Sequence, residues 1–170
     1  MGESKLVAVK QEIESPLNQI GRWRFPDKKF IYEKTVLIKQ TNLLGNTYFS
    51  NFIEWQGEAR EKLFLTHPAA LAFIKEYPNI LLVTHTLHHR FLSNAYLGDT
   101  IRIELTTGDI MDHSFKIMFR YYSSSDGVLI GEGWQKICFL DTNVNRPCKT
   151  PQIFLDLALP IQEHQKTDLN

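Results

Sequence analysis

The sequence predicts a single α+β domain, with one long helix packed on a face of a curved antiparallel sheet of about five strands. Three observations lead there. A strand-like run precedes residue 41, a helical stretch with a broad apolar sector begins at Tyr48, and most of the second half is written in period two. A chain of 170 residues suits one core. It contains no internal repeat, and no low-complexity segment beyond one serine-rich turn.

Taken in order, the stretch up to Pro26 is polar and weakly periodic, so residues 1–29 read as an N-terminal arm, either disordered or draped over a domain at 30–142. From Phe30 to Gln40, Tyr32, Thr35, Val36, Leu37 and Ile38 favour a strand, which the run Asn42-Leu43-Leu44-Gly45-Asn46 ends. At about 100° per residue, Tyr48, Phe52, Trp55, Ala59 and Leu63 share one helical sector, extended by Phe49, Ile53 and Phe64. Ser50, Glu54, Gly57, Glu58 and Glu61 lie opposite. So broad a sector suits a helix enclosed by other structure. It runs to about His67, where Pro68 ends it or opens a short second helix through Tyr77.

After Pro78-Asn79, the residues Leu81, Val83, His85, Leu87, His89 and Phe91 form one face of a strand, and Ile101, Ile103 and Leu105 one face of the next. Ser114 to Tyr122 and Val128 to Leu140 follow, joined by a hairpin connection at Ser123 to Gly127. Residues 143–170, with Pro147, Pro151 and Pro160, read as a C-terminal tail along the surface.

Composition excludes several function classes. Nineteen basic residues balance 19 acidic ones, which leaves no electrostatic case for nucleic acid. Cys138 and Cys148 provide neither a disulfide framework nor zinc spacing. No secretory leader and no long apolar run is present, so the expected setting is cytoplasmic and away from membranes. His85 and His89 would stand about 13 Å apart on a strand, with His88 facing the other way, so a metal site is not expected. Phosphate-loop and nucleophile-elbow motifs are absent.

Arg60 is the most informative residue, because its helical angle places it inside the apolar sector near Phe49, Ile53 and Phe64, where an unpaired guanidinium is costly. It either snorkels to carboxylates or carbonyls, or serves a ligand site. Asn42 to Asn46 precede the helix, whose first-turn amides favour a developing negative charge; Asn42 or Asn46 reads equally as a cap or turn residue. Glu58 and Glu61 point away from Arg60, and Glu58 is spaced to pair with Lys62.

The stretch Gln40-Thr41-Asn42-Leu43-Leu44-Gly45-Asn46-Thr47-Tyr48-Phe49-Ser50-Asn51-Phe52, with Trp55-Gln56-Gly57 and Arg60-Glu61, resembles the hotdog acyl-CoA thioesterases of the 4-hydroxybenzoyl-CoA type. It is most similar to those of enediyne polyketide biosynthesis. The wider family usually has aspartate at the position of Asn42, and some members have histidine at that of Phe49. The enediyne branch has asparagine and arginine at the positions of Asn42 and Arg60. The resemblance implies a hotdog fold and a homodimer or homotetramer with sites between subunits. The implied substrate is an acyl-phosphopantetheine thioester on an acyl carrier protein or CoA, hydrolysed by water without metal or cofactor, and a β-keto acid released this way can decarboxylate. It also implies Asn42, Arg60 and Tyr48 as catalytic residues, with Gly45, Asn46, Phe49 and Phe52 contacting substrate. Asparagine is no base, but it can hold water or an oxyanion, and the amide of Tyr48 can serve at the helix start. A general acyl-CoA thioesterase is the alternative, as is a silent acyl-binding subunit lacking the usual carboxylate.

Overall fold

In the computed structural model, which describes residue 25 and residues 27 to 163, β1 (Phe30–Thr35) leads through a 3-10 turn into α1 (Phe49–Leu65) and α2 (Ala70–Glu76). There follow β2 (Ile80–Phe91), β3 (Thr100–Gly108), β4 (Ser114–Ser123), β5 (Leu129–Asp141), β6 (Arg146–Cys148) and α3 (Gln152–Ala158). The long strands lie in the order β1-β3-β4-β5-β2, all antiparallel, and β6 pairs with the end of β5. This is the predicted α+β architecture, a curled sheet with the long helix against it. No helix among the described residues is long and apolar enough to cross a membrane.

Alternation within the strands explains why α1 is enclosed. Ile101, Ile103 and Leu105 of β3, alternate residues of β4 from Phe115 to Tyr121, and Ile137 and Phe139 of β5 are buried. Against them α1 buries Phe52, Trp55, Ala59 and Leu63. Each large apolar side chain so removed from water contributes about 1.5–3 kcal/mol.

The period-two reading of β2 needs one correction. The register with β5 shifts between Thr84 and Thr86, so His85 is an extra residue. Such a bulge reverses the alternation beyond it. Leu81 and Val83 therefore lie on the opposite face of the sheet from Leu87, His89 and Phe91, which pair across from Gln135, Gly133 and Gly131. His88 stacks on Trp134, whereas His89 packs with Phe52 and Tyr121 beneath the sheet.

The expectation of a surface tail after residue 142 also fails. Ile153, Phe154, Leu157, Ala158 and Ile161 are buried in the core, and Phe154 stacks on Phe64 of α1 at 4.9 Å. Beyond α3 the Glu163 carboxylate accepts hydrogen bonds from Arg120 at 2.6 Å and Thr106 at 2.7 Å, which clasps the segment to the sheet. The run from Ile153 to Ile161 is apolar at nearly every position, so it shows no clear period by itself. Its residues become core only because a groove beside α1 receives them. The expected arm falls mostly on residues outside those described, but Phe25 is buried and meets Phe30 edge-on.

Glu58 does not form the expected pair with Lys62. It reaches β1 instead, where Lys34 Nζ at 2.7 Å and Tyr32 Oη at 2.9 Å donate to its carboxylate. Burial would raise the Glu58 pKa, but the hydrogen bonds from Lys34 and Tyr32 outweigh it and hold the carboxyl below its ordinary value. A depressed carboxylate pKa contributes stability that is present above the ordinary range and is lost as pH falls through the folded value. Wild type is therefore expected to be more stable than Glu58→Gln at neutral pH, the two converging as pH falls through the lowered folded value of Glu58. Chemical denaturation across a pH series checks this, and parallel curves would refute it.

Candidate active site

The loop before α1 is held by its own backbone. Asn42 N–H donates to Asn46 O at 2.9 Å, Gly45 N–H donates to Asn42 O at 2.9 Å, and the Asn42 Oδ1 accepts from Leu44 N–H at 2.8 Å. Gly45 sits at φ 81°, a left-handed conformation that strains residues bearing a Cβ. Thr47 N–H bonds Ala95 O, and Asn46 Nδ2 bonds Asn94 Oδ1, tying the loop to the chain beyond β2. Asn42 is thus a turn residue, and its Nδ2 has no partner among the described residues. With Oδ1 engaged by Leu44, that amide nitrogen is left as a donor.

The role expected for Tyr48 changes. Its N–H donates to Gln40 O at 3.0 Å, so it is already used. Tyr48 caps α1 with no side-chain hydrogen bond, and the unbonded amides at the helix start are those of Phe49 and Ser50. The Phe49 ring is exposed beside Tyr48. Phe52 is not a surface contact: it is 2% exposed, packed among Trp55, His89, Phe91 and Tyr121, and Tyr121 Oη donates to its carbonyl.

Arg60 does not lie among Phe49 and Ile53. Those residues share its helical sector but stand about 16 and 10 Å away along the axis. Its guanidinium crosses to the sheet, where Nη1 donates to Thr84 Oγ1 at 2.7 Å and to Gln135 Oε1 at 2.9 Å. Among the described residues no carboxylate is within ion-pair distance of it. Burial lowers its pKa, which the Glu61 charge partly offsets. It remains a cation with only neutral partners.

Beside Arg60 opens a cavity of about 340 Å³, walled by Leu63, Phe64, Phe73, Ile80, Leu82 and Ile117 among others. Its charged lining residues are Arg60 and Glu61, so Glu61 is not turned away from Arg60 as expected. The size and apolar lining suit a small-molecule site with a few polar anchors.

Sequence reasoning missed Gln56, which is 0% exposed. The signal was present: at about 80° from Tyr48 it falls between Leu63 and Arg60 in the apolar sector. Gln135, also buried, accepts from Arg60 and donates to Gln56 Oε1 at 3.2 Å. No group of three or more His, Cys, Asp or Glu among the described residues could hold a metal ion.

A family model described as the thioesterase-like superfamily matches residues 36–157. The chain belongs to that superfamily. Its reaction class is thioester hydrolysis. No curated protein matches this thioesterase by sequence. Among solved structures it resembles the dynemicin thioesterase, studied for polyene binding, with 21% identity, TM-score 0.74, and 80% of this chain and 99% of that one covered. It likewise resembles a 1,4-dihydroxy-2-naphthoyl-CoA thioesterase from Synechocystis, with 20% identity, TM-score 0.71, and 77% and 96% covered. A Staphylococcus aureus protein solved with CoA is similar at 17% identity and TM-score 0.72, with 80% and 87% covered.

Asn42, Gly45, Asn46, Tyr48 and Phe49 come together at one end of the thioesterase's long helix. Arg60 stands apart from them, about 18 Å along the axis from Tyr48. Asn42→Ala is expected to lower turnover about 10²–10³-fold through loss of the Nδ2 donor, while loss of the Leu44 turn costs about 1 kcal/mol. Kinetics and melting temperatures measured together separate these effects. A destabilised variant with unchanged turnover would leave Asn42 as a turn residue only.

Proposed function

We propose that this thioesterase hydrolyses an acyl-phosphopantetheine thioester whose acyl chain occupies the cavity beside Arg60. The observation that carries this reading is the half-buried guanidinium at the wall of an apolar cavity with no carboxylate partner. A cation so placed favours a group that becomes negative during reaction, as a thioester carbonyl does when water adds to it. Water forms the new C–O bond, the carbonyl oxygen takes the charge, and collapse breaks the C–S bond to release acid and thiol. Asn42 Nδ2 and the Phe49 and Ser50 amides are the further donors. Glu61, the carboxylate in the cavity lining, accepts the proton from water and returns it to the departing thiolate, since Glu58 is engaged by Lys34 and Tyr32.

The favoured substrate is a polyketide or polyene chain on an acyl carrier protein. This rests on the shared Asn42 and Arg60 pattern of the enediyne branch and on the likeness to the dynemicin thioesterase. An acyl-CoA substrate is the second reading, favoured by the likeness to a protein solved with CoA. Side-by-side hydrolysis of matched acyl-carrier-protein and acyl-CoA substrates decides between them. In either assay Arg60→Lys is expected to lower kcat at least about tenfold, because an ammonium cannot reproduce the planar donor set that spans Thr84, Gln135 and substrate. Near-full turnover by the lysine variant would make Arg60 a packing residue.

A homodimer or homotetramer completes the site in this reading. The 12-residue β2 is an end strand of the sheet, and Leu81, Val83, Leu87 and Phe91 on it are exposed. Such an edge calls for a partner. A two-fold copy would bring the Asn42 loop of one chain toward Arg60 of the other, which one chain cannot do across the length of α1. Mixing Asn42→Ala with Arg60→Ala subunits is then expected to restore about a quarter of wild-type activity, since half the dimers are mixed and each carries one intact site. No recovery after verified subunit exchange would place both residues' roles within one chain.

A further inference from the structure

A line of buried polar side chains runs from Arg60 into the core, and its hydrogen-bond polarity is set at both ends. At one end the guanidinium can only donate, so the Gln135 atom facing it at 2.9 Å is Oε1. Gln135 Nε2 then faces Gln56 and donates to its Oε1 at 3.2 Å. At the other end the His88 carbonyl can only accept, and Gln56 Nε2 lies 3.4 Å from it. The same Nε2 is 3.2 Å from His89 Nδ1, which therefore accepts, leaving the ring proton on Nε2.

The surroundings suit that arrangement. Burial holds the His89 pKa down to about 4, with His88 adding to the effect, so the ring is neutral near pH 7. Its Nε2 is buried without a partner among the described residues. Gly133 leaves room for the line: a Cβ there would fall 2.4 Å from His88 O and 2.6 Å from Gln56 Nε2.

We propose that Gln56, Gln135 and His89 are positioning residues for Arg60, a one-way chain of side-chain amides ending on His89 Nδ1 that fixes the guanidinium against the cavity. Reversing either glutamine amide places donor against donor at one of its contacts and acceptor against acceptor at the other. The two amides thus have one mutually compatible orientation, and in it Arg60 Nη1 is held by Gln135 and Thr84 while the rest of the fork is left for substrate. The inference rests on the reading of Arg60 as a catalytic residue given above.

The test combines epistasis with a spectroscopic readout. Gln56→Met and Gln135→Met, close in length to the native side chains, are each expected to lower kcat about tenfold with KM nearly unchanged, and the double variant to lose little more than either. In an Arg60→Ala background the same changes are expected to cause no further loss, whereas a merely structural role would lower the rate in both backgrounds. Full activity of both methionine variants beside a damaged Arg60→Ala enzyme overturns this inference alone. Full activity of Arg60→Ala overturns the catalytic reading of Arg60 and this inference with it. Should the methionine variants fail to fold, nitrogen NMR of the wild-type histidines still decides: His89 is expected as a single neutral form with Nδ1 unprotonated at pH 7. A charged ring or a protonated Nδ1 overturns the proposal.

Discussion

Trp55 and Ala59 have no exposed surface, and Phe52 and Leu63 have almost none, because α1 runs inside the curve of the sheet. The rest of the molecule is arranged around that burial. A helix this enclosed keeps water from the middle of its apolar sector, so a polar side chain there must find a protein partner or a ligand. Gln56 and Arg60 are the polar side chains placed there, and Gln135 is the strand residue that joins them. The polar line through the core is therefore a consequence of where the helix sits.

The same burial separates the two ends of the site. At its start α1 emerges from a loop stitched to the chain beyond β2, which leaves Asn42 Nδ2 and the first amides facing outward. Twelve residues further on, Arg60 leaves the helix for the sheet and meets an apolar cavity. That cavity is closed by α2 and α3, which would have no surface to pack on if the sheet did not curl past the end of the helix.

Charge is distributed with the same economy. Glu58 is satisfied by Lys34 and Tyr32 on one side of α1, and Glu163 by Arg120 and Thr106 at the sheet's far edge. Both carboxyls are held below their ordinary pKa, Glu163 chiefly by its bond from Arg120. Arg60 differs from both: it is desolvated and hydrogen-bonded only to neutral oxygens.

The α+β architecture, the extents of β2 to β5 and the apolar face of α1 were legible in the sequence because periods of 2 and 3.6 residues are local properties of a chain, whereas the strand expected to Gln40 ends at Thr35 and β6 was not foreseen. Arg60 stood out for the same reason, as did the turn-forming run from Asn42 to Asn46. Gln56 was equally legible by angle, but a neutral amide in an apolar sector gives a weaker signal than a charge. Only the tertiary structure decided the rest. One extra residue at His85 turns the two halves of β2 to opposite faces, and no local pattern announces where a ladder will slip. Phe154 and Leu157 become core because a groove beside α1 receives them. Gln135 meets Gln56 across 79 residues of chain, a contact set by sheet register and helix height together. Those quantities belong to the packed whole, and hydrogen-bond polarity along the line from Arg60 to His89 exists only once it is packed.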